Sequence, residues 1–274
     1  MFAKEKIKYQ ESMVMAIKTA FTYRGNLIVN IFMRFIVVLL SLFLWRAIYK
    51  GTSIIGSYSF YEMVIYTFFA NFVYGLVNFD DFSYDMANNI LYGQINTYLL
   101  RPVSFIDISF FECIGNKFVY FPVDFFAYII PLCIFNISNG LEASMNIYKV
   151  IVIIVFIAGG VLIGFLISFV LGCLTFYMEN PSIVIYIKGE IFALLSGSIL
   201  PLDIFSGWIK SILEVLPTKY MGYYQCLIYL KGWGELNIFK DFLMMTAWMI
   251  VLMIITKRLW NKALSKHILY IGFQ

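Results

Sequence analysis

IYKVIVIIVFIAGGVLIGFLISFVLGCLTFY, residues 147–177, carries a single charged side chain, Lys149, close to its start. About 20 consecutive apolar residues in a helix cross the hydrocarbon core of a bilayer, so this stretch predicts a membrane-spanning helix. Gly160, Gly164, Ser168 and Gly172 recur every fourth residue on one face of that helix. Small residues at this spacing let two membrane helices bring their backbones close together. They would serve either as a sliding surface between moving helices or as static packing, and static packing is the expectation.

The rest of the chain repeats the pattern. Of its 274 residues 62% are hydrophobic and 13% charged, with a mean hydropathy of +0.84. Globular domains average roughly 25% charged and 45–50% apolar residues, so the composition predicts an all-α polytopic membrane protein. The abundant rings, 28 Phe and 20 Tyr, suit lipid and its interfaces. Further spans are expected at residues 26–49, 60–79, 105–135, 182–200 and 242–256, giving six with 147–177 in a single transmembrane domain, residues 1–274. Residues 4–22 place Ile7, Met13, Val14, Ile17 and Phe21 at helical spacing opposite lysines, which reads as an amphipathic interfacial helix rather than a cleavable signal.

Basic residues set the orientation. Lys4, Lys6, Lys8, Lys18 and Arg24 precede the first span, and Lys257, Arg258, Lys262 and Lys266 follow the last. The excess of Lys and Arg on cytoplasmic segments places both ends on the cytoplasmic side of a cell membrane and requires an even number of crossings. Residues 201–240, too broken by Pro and Gly for a full span, then fall outside, although they contain Lys210, Lys219 and Lys231. The net charge of +4 lies at these membrane flanks and is no nucleic-acid signature.

Reactive constellations are missing from the sequence. Cys113, Cys133, Cys173 and Cys226 are isolated, and His267 is the only histidine, so no metal-ligand spacing arises. Ser196-Gly197-Ser198 has no histidine at span depth to activate it, and Glu112, Asp124 and Glu190 are the acids at that depth. No GxxxxGK[ST] phosphate loop occurs. No catalytic, metal-binding or cofactor-binding residue is assigned; any ATP and Mg would be bound by another chain.

The polar segment 80–103, DDFSYDMANNILYGQINTYLLRPV, has its own organisation. Asp80, Asp81 and Asp85 suit a helix N-terminus, Gly93 interrupts the segment, and Pro102 stops it before the next span. The pattern Ile90-x-x-Gly93-x-Ile95-x-x-x-Leu99-Leu100-Arg101-Pro102 resembles the cytoplasmic loop of type-2 ABC exporter permeases, the branch handling drugs and other small amphiphiles. LLSGSILPLDIFSGWIKSILEVLPTKY, residues 194–220, is similar to that family's second hallmark. It carries Ser196-Gly197, Pro201-Leu202, Gly207-Trp208 and Leu216-Pro217 in order, with Ser206 where a second proline is usual. Tyr23-Arg24-x-Asn26 and Leu44-Trp45 fit the family's opening stretch, so the resemblance runs along nearly the whole chain.

The resemblance implies roles. Residues 80–102 would form the coupling-helix loop that docks on an ATPase subunit, with Asp81, Asp85, Gly93 and Gln94 as contacts and Arg101-Pro102 setting the return to the membrane. Residues 201–240 would be an extracellular re-entrant element marked by Pro201, Gly207, Trp208 and Pro217. Ile204, Trp208, Ile212 and Leu216 recur at four-residue spacing there, with Lys210 and Glu214 on another face. Two permeases, identical or related, would enclose a pathway between their first, second and fifth spans, powered by two ATPase copies. Polar residues inside spans are expensive and mark function by default; Arg34, Asn71, Asn78, Lys188 and Glu190 are the pathway candidates, with internal pairing of Arg34 with Glu190 as the competing structural reading. An ATP-independent secondary transporter or channel is the alternative, but it would call for an internal repeat that the halves do not display. The Ile-, Lys-, Asn- and Tyr-rich usage suits an AT-rich bacterial genome.

Overall fold

A computed structural model describes residues 2–22, 24–99, 104–140, 146–178, 182–231 and 236–271. Helices dominate them: α1 (Phe2–Thr22), α2 (Arg24–Ile48), α3 (Phe60–Val77), α4 (Asp80–Leu91), α5 (Ile95–Leu99), α6 (Phe105–Asp124), α7 (Ile130–Ser138), α8 (Ile147–Cys173), α9 (Ser182–Leu195), α10 (Trp208–Val215), α11 (Tyr223–Leu230) and α12 (Ile238–Ile271). A two-residue hairpin, β1 (Ile54–Ile55) with β2 (Tyr58–Ser59), joins α2 to α3.

Among the described residues five stretches are long and apolar enough to cross a membrane: Ile28–Ile48, Phe60–Leu91, Phe105–Ser138, Ile147–Tyr177 and Ile238–Ser265. Local chemistry sets their limits. Ser59 and Glu62 form a reciprocal capping box that starts α3, and Asn78 ends it in an extended conformation. Ser104 caps α6 through the Asp107 amide. Pro122 withdraws a backbone donor inside α6, and the helix widens into a π segment at Phe125–Ile129 before resuming as α7.

Two boundaries differ from the sequence reading. Helix α12 does not stop at residue 256 but runs on through Lys257, Arg258 and Lys262, since Lys and Arg are good helix formers once no longer required to sit in lipid. Helix α9 covers 14 residues, about 21 Å at ~1.5 Å per residue, which is short of the ~30 Å hydrocarbon core.

The core forms where α8 meets its neighbours. Gly164 faces the Val77 carbonyl, Gly160 the Tyr220 carbonyl, and Gly172 the Met86 side chain. The small-residue stripe is therefore filled along its length by α3, α4 and the Pro217–Met221 turn, the close approach that small residues at this spacing allow. At the end of the bundle containing Asp80, rings of four helices meet: Phe82, Phe105, Phe110, Phe165 and Phe169, with Trp260 stacked on Phe105 at 4.8 Å between centroids. Helix α1 packs along α6 at that same end, its Met13 carbonyl against Gly115 and Ser12 Oγ donating to Glu112 at 2.6 Å. Helix α1 and the second half of α12 thus lie at one end of the bundle.

Candidate functional site

Polar centres interrupt the apolar interior among the described residues. The first joins three helices through Asp124, whose surface is 1% exposed. Arg34 Nε of α2 pairs with Asp124 Oδ1, and Arg34 also reaches Asn30 Oδ1 at 3.3 Å and lies 5.8 Å from the Tyr120 ring centroid. The carboxylate fits because Gly75 of α3 lacks a side chain; a Cβ there would stand 3.1 Å from Asp124 Oδ2. Nearby, Lys117 Nζ donates to the Gly75 carbonyl at 2.6 Å and to the Asn78 carbonyl. These carbonyls end α3 and have no partners within the helix, so an ammonium suits them by hydrogen bonding and by the helix dipole.

The second centre surrounds Lys188 of α9, which is buried. Its Nζ lies 2.5 Å from Asp80 Oδ1 at the start of α4 and donates to Ser168 Oγ of α8 at 2.8 Å and Ser83 Oγ of α4 at 3.3 Å. Asn78 Nδ2 holds the other Asp80 oxygen at 2.7 Å. The third centre, at the opposite end, is Asp203. Tyr58 Oη of β2 donates to it at 2.9 Å, Tyr223 Oη of α11 donates to its other oxygen, and Lys210 and Lys231 each stand 3.4 Å away. Burial raises the Asp203 pKa, but the hydrogen bonds from Tyr223 and Tyr58 and the two lysine charges outweigh it, so the carboxyl titrates below its ordinary range.

The sequence-predicted residues fall unevenly on these centres. Arg34 pairs with Asp124 and not with Glu190, which is exposed. Asn78 and Lys188 converge on Asp80, whereas Asn71 turns back to the Thr67 carbonyl at 2.7 Å. Asp81, Asp85 and Gln94 line a cavity of about 740 Å³ bounded by α1, α4 and α6, with Glu112 and Lys117 on its wall. Gly93 adopts φ +70° between α4 and α5, a left-handed conformation that glycine takes without steric cost. Arg101 and Pro102 lie outside the described residues. Pro201 and Pro217 are buried, Gly207 has φ +65°, and Trp208 is 74% exposed. The turn at Phe205–Gly207 splits the Ile204–Leu216 spacing, so Ile204 is not on the same helix as Trp208.

Sequence reasoning did not select Asp80, Lys117, Asp203 or Asp241 (which takes Lys219 Nζ at 2.6 Å). Asp124 and Lys117 offered a signal, ionisable residues within an apolar run; Asp203 and Asp241 lie in polar sequence, where a charge is unremarkable.

A helical bundle with five membrane-length helices and paired charges inside it is a multi-pass membrane protein. Residues 35–268 match the family described as ABC-2 family transporter protein, and the chain belongs to that family. It is accordingly a membrane transport component of ABC transporters, not itself catalytic, and the family implies association with ABC ATPase components. A comparison with curated proteins finds no significant match.

Proposed function

We propose that this chain is the permease subunit of an ATP-driven exporter in the cell membrane, pairing with a second permease and powered by two separate ATPase subunits that bind ATP and Mg. The observation that carries this reading is the α4–α5 segment. It follows the chain break at Asn78 and Phe79 and packs one face of α4 on the bundle, while exposed Asp81 and Asp85 stand on the wall of the cavity between α1, α4 and α6. It then turns at Gly93 in a conformation other residues adopt at a cost. Such a rigid, acidic, sharply turned element on a transport subunit suits docking on an ATPase.

Six crossings are supported by parity. Helix α1 and the second half of α12 share one end of the bundle, which accords with an even number of crossings. Helix α9 supplies the sixth with the turn that follows it, since Lys188 reaches Asp80 near one end and the Gly197 carbonyl accepts from Tyr66 Oη near the other. The Asp80 end, with the basic termini, faces the cytoplasm, and α1 lies along the inner leaflet. Residues 201–240 fold back as short helices over the outer end, with Pro201, Gly207, Trp208 and Pro217 shaping the turns. Two permeases facing each other enclose the pathway, to which Arg34, Asn71 and Asn78 contribute from the first two spans and Glu190 from the fifth. ATP binding draws the docked segments together and rocks the permeases outward, by differential binding of nucleotide to two states.

Purification of the tagged chain from native membranes in mild detergent tests the reading. Recovery of an ATPase subunit, reduced when Asp81, Asp85 and Gly93 are replaced, is expected. Absence of any ATPase and of ATP hydrolysis would leave an ATP-independent transporter as the better account.

A further inference from the structure

We infer that Asp80 and Lys188 form the joint through which movement of the α4–α5 segment reaches the fifth span and, beyond it, the outer cap; this rests on the ATPase-docking role proposed above. The joint lies at a break in the chain. Helix α3 ends at Val77, α4 begins at Asp80, and Asn78 and Phe79 between them are not helical. A segment that moves on docking an ATPase would turn about these two residues.

Helix α9 is fastened to both sides of the break by adjacent residues. On the α4 side Lys188 holds Asp80 at 2.5 Å and Ser83 at 3.3 Å. On the α3 side Tyr74 Oη donates to the Gly189 carbonyl at 3.2 Å. Gly189 fits so closely that a Cβ would stand 2.9 Å from Asp80 Oδ2. Ser168 ties the same ammonium to α8, and Ser83 Oγ donates to the Ser168 carbonyl at 3.0 Å. A rotation of α4 against α3 must therefore either carry α9 along or draw the buried Lys188 ammonium away from the partly exposed Asp80, and leaving that ammonium unpaired where water is scarce is costly.

The far end of α9 is fastened as well. The Ser196 carbonyl accepts from the Tyr223 amide at 2.9 Å, and Tyr223 Oη donates to Asp203. Contacts thus run from Asp80 along α9 to the Asp203 centre. Packing alone does not require charges at the joint, because an ion pair with a buried partner is often no more stabilising than apolar residues of the same volume. Movement can use them, since the pair keeps one register of α9 on α4 while the hinge turns. Lys188 is accordingly a positioning residue and not a wall of the pathway.

The test uses the complex purified with its ATPase through a tag on this chain. Cys133, the exposed cysteine, is replaced by serine, and Ile199, 47% exposed beyond the end of α9, by cysteine. The probe is the rate at which a charged maleimide modifies Cys at 199, with and without ATP and vanadate. In the otherwise unaltered chain, trapping nucleotide is expected to change that rate about fivefold or more, the usual size of coupling between sites. Asp80→Asn, Lys188→Met and the apolar pair Asp80→Leu with Lys188→Met should keep ATP hydrolysis yet show the nucleotide-free rate throughout. Exchange of the two charges, Asp80→Lys with Lys188→Asp, should restore the response. An undiminished response in the apolar pair would overturn the joint while leaving the exporter reading intact. Failure of the unaltered chain to retain an ATPase would overturn that reading, and the joint with it.

Discussion

At Gly164 the fourth membrane-length helix has no room for a methyl group, because an added Cβ would overlap the Val77 carbonyl oxygen. That oxygen belongs to the last turn of α3, whose Gly75 and Asn78 carbonyls Lys117 holds on either side of it, so it cannot retreat without loosening the chain break. Gly164→Ala is expected to destabilise the protein by about 1–3 kcal/mol, the usual cost of overpacking; an unchanged melting temperature in detergent would show that the backbone gives way. The Arg34–Asp124 pair makes a different demand. Removing one partner leaves an uncompensated buried charge, about 3–5 kcal/mol, whereas replacing both with apolar residues can be neutral. Arg34→Leu and Asp124→Leu should each lower the melting temperature, and the double variant should recover much of the loss. Additive losses would mean that the two side chains do not act as a pair.

Among the elements, the outer cap depends on Asp203, which ties β2, α10 and α11 together. A carboxylate whose folded pKa lies below its unfolded value stabilises fully above the unfolded value, near 3.9, and loses that contribution as pH falls through the folded one. The cap should therefore keep its protection from hydrogen exchange down to about pH 4 and lose it on further acidification. In Asp203→Asn the cap should be weaker at neutral pH and indifferent to that acid step. A persistent acid step in the variant would assign it to another carboxylate. The α4–α5 segment depends on Gly93 in the same local way. A residue with a Cβ pays roughly 1–2 kcal/mol in the left-handed region, so Gly93→Val should reduce ATPase recovery while the melting temperature of the bundle changes little. Equal loss of both would make the turn part of the core.

In the whole molecule the helices are unequally covered. Half of the apolar window of α8 is buried, and 61% of that from Phe60 to Leu91, but only 11% in α2 and in α12. Lipid covers such faces at no cost, and so does a second permease. Phe32 of α2 and Ile191 of α9 are both exposed. If two identical copies face each other through the first and fifth spans, cysteines at these positions should cross-link between chains under oxidising conditions. Monomeric migration alone would indicate a related but different second permease, or another facing surface.

Some of this was settled by composition and spacing. Runs of apolar residues cannot be kept in water, so apolar helices are expected over 60–79 and 147–177, where α3 and α8 lie. Gly160, Gly164 and Gly172 on one face offer room that the Tyr220 and Val77 carbonyls and the Met86 side chain fill. The family was legible too, because Gly93 and the Gly207-Trp208 and Leu216-Pro217 pairs are local chain requirements at fixed spacing. Partners were not. Arg34 is as far in sequence from Asp124 as many other acids, and nothing local distinguishes Asp124 from Glu190 as its mate; the vacancy at Gly75 decides between them, and that vacancy exists only once α3 and α6 are packed. Likewise Lys188 reads as a polar residue facing a pathway until α4 and α8 close around it, since burial is a property of the assembled helices and not of any one of them.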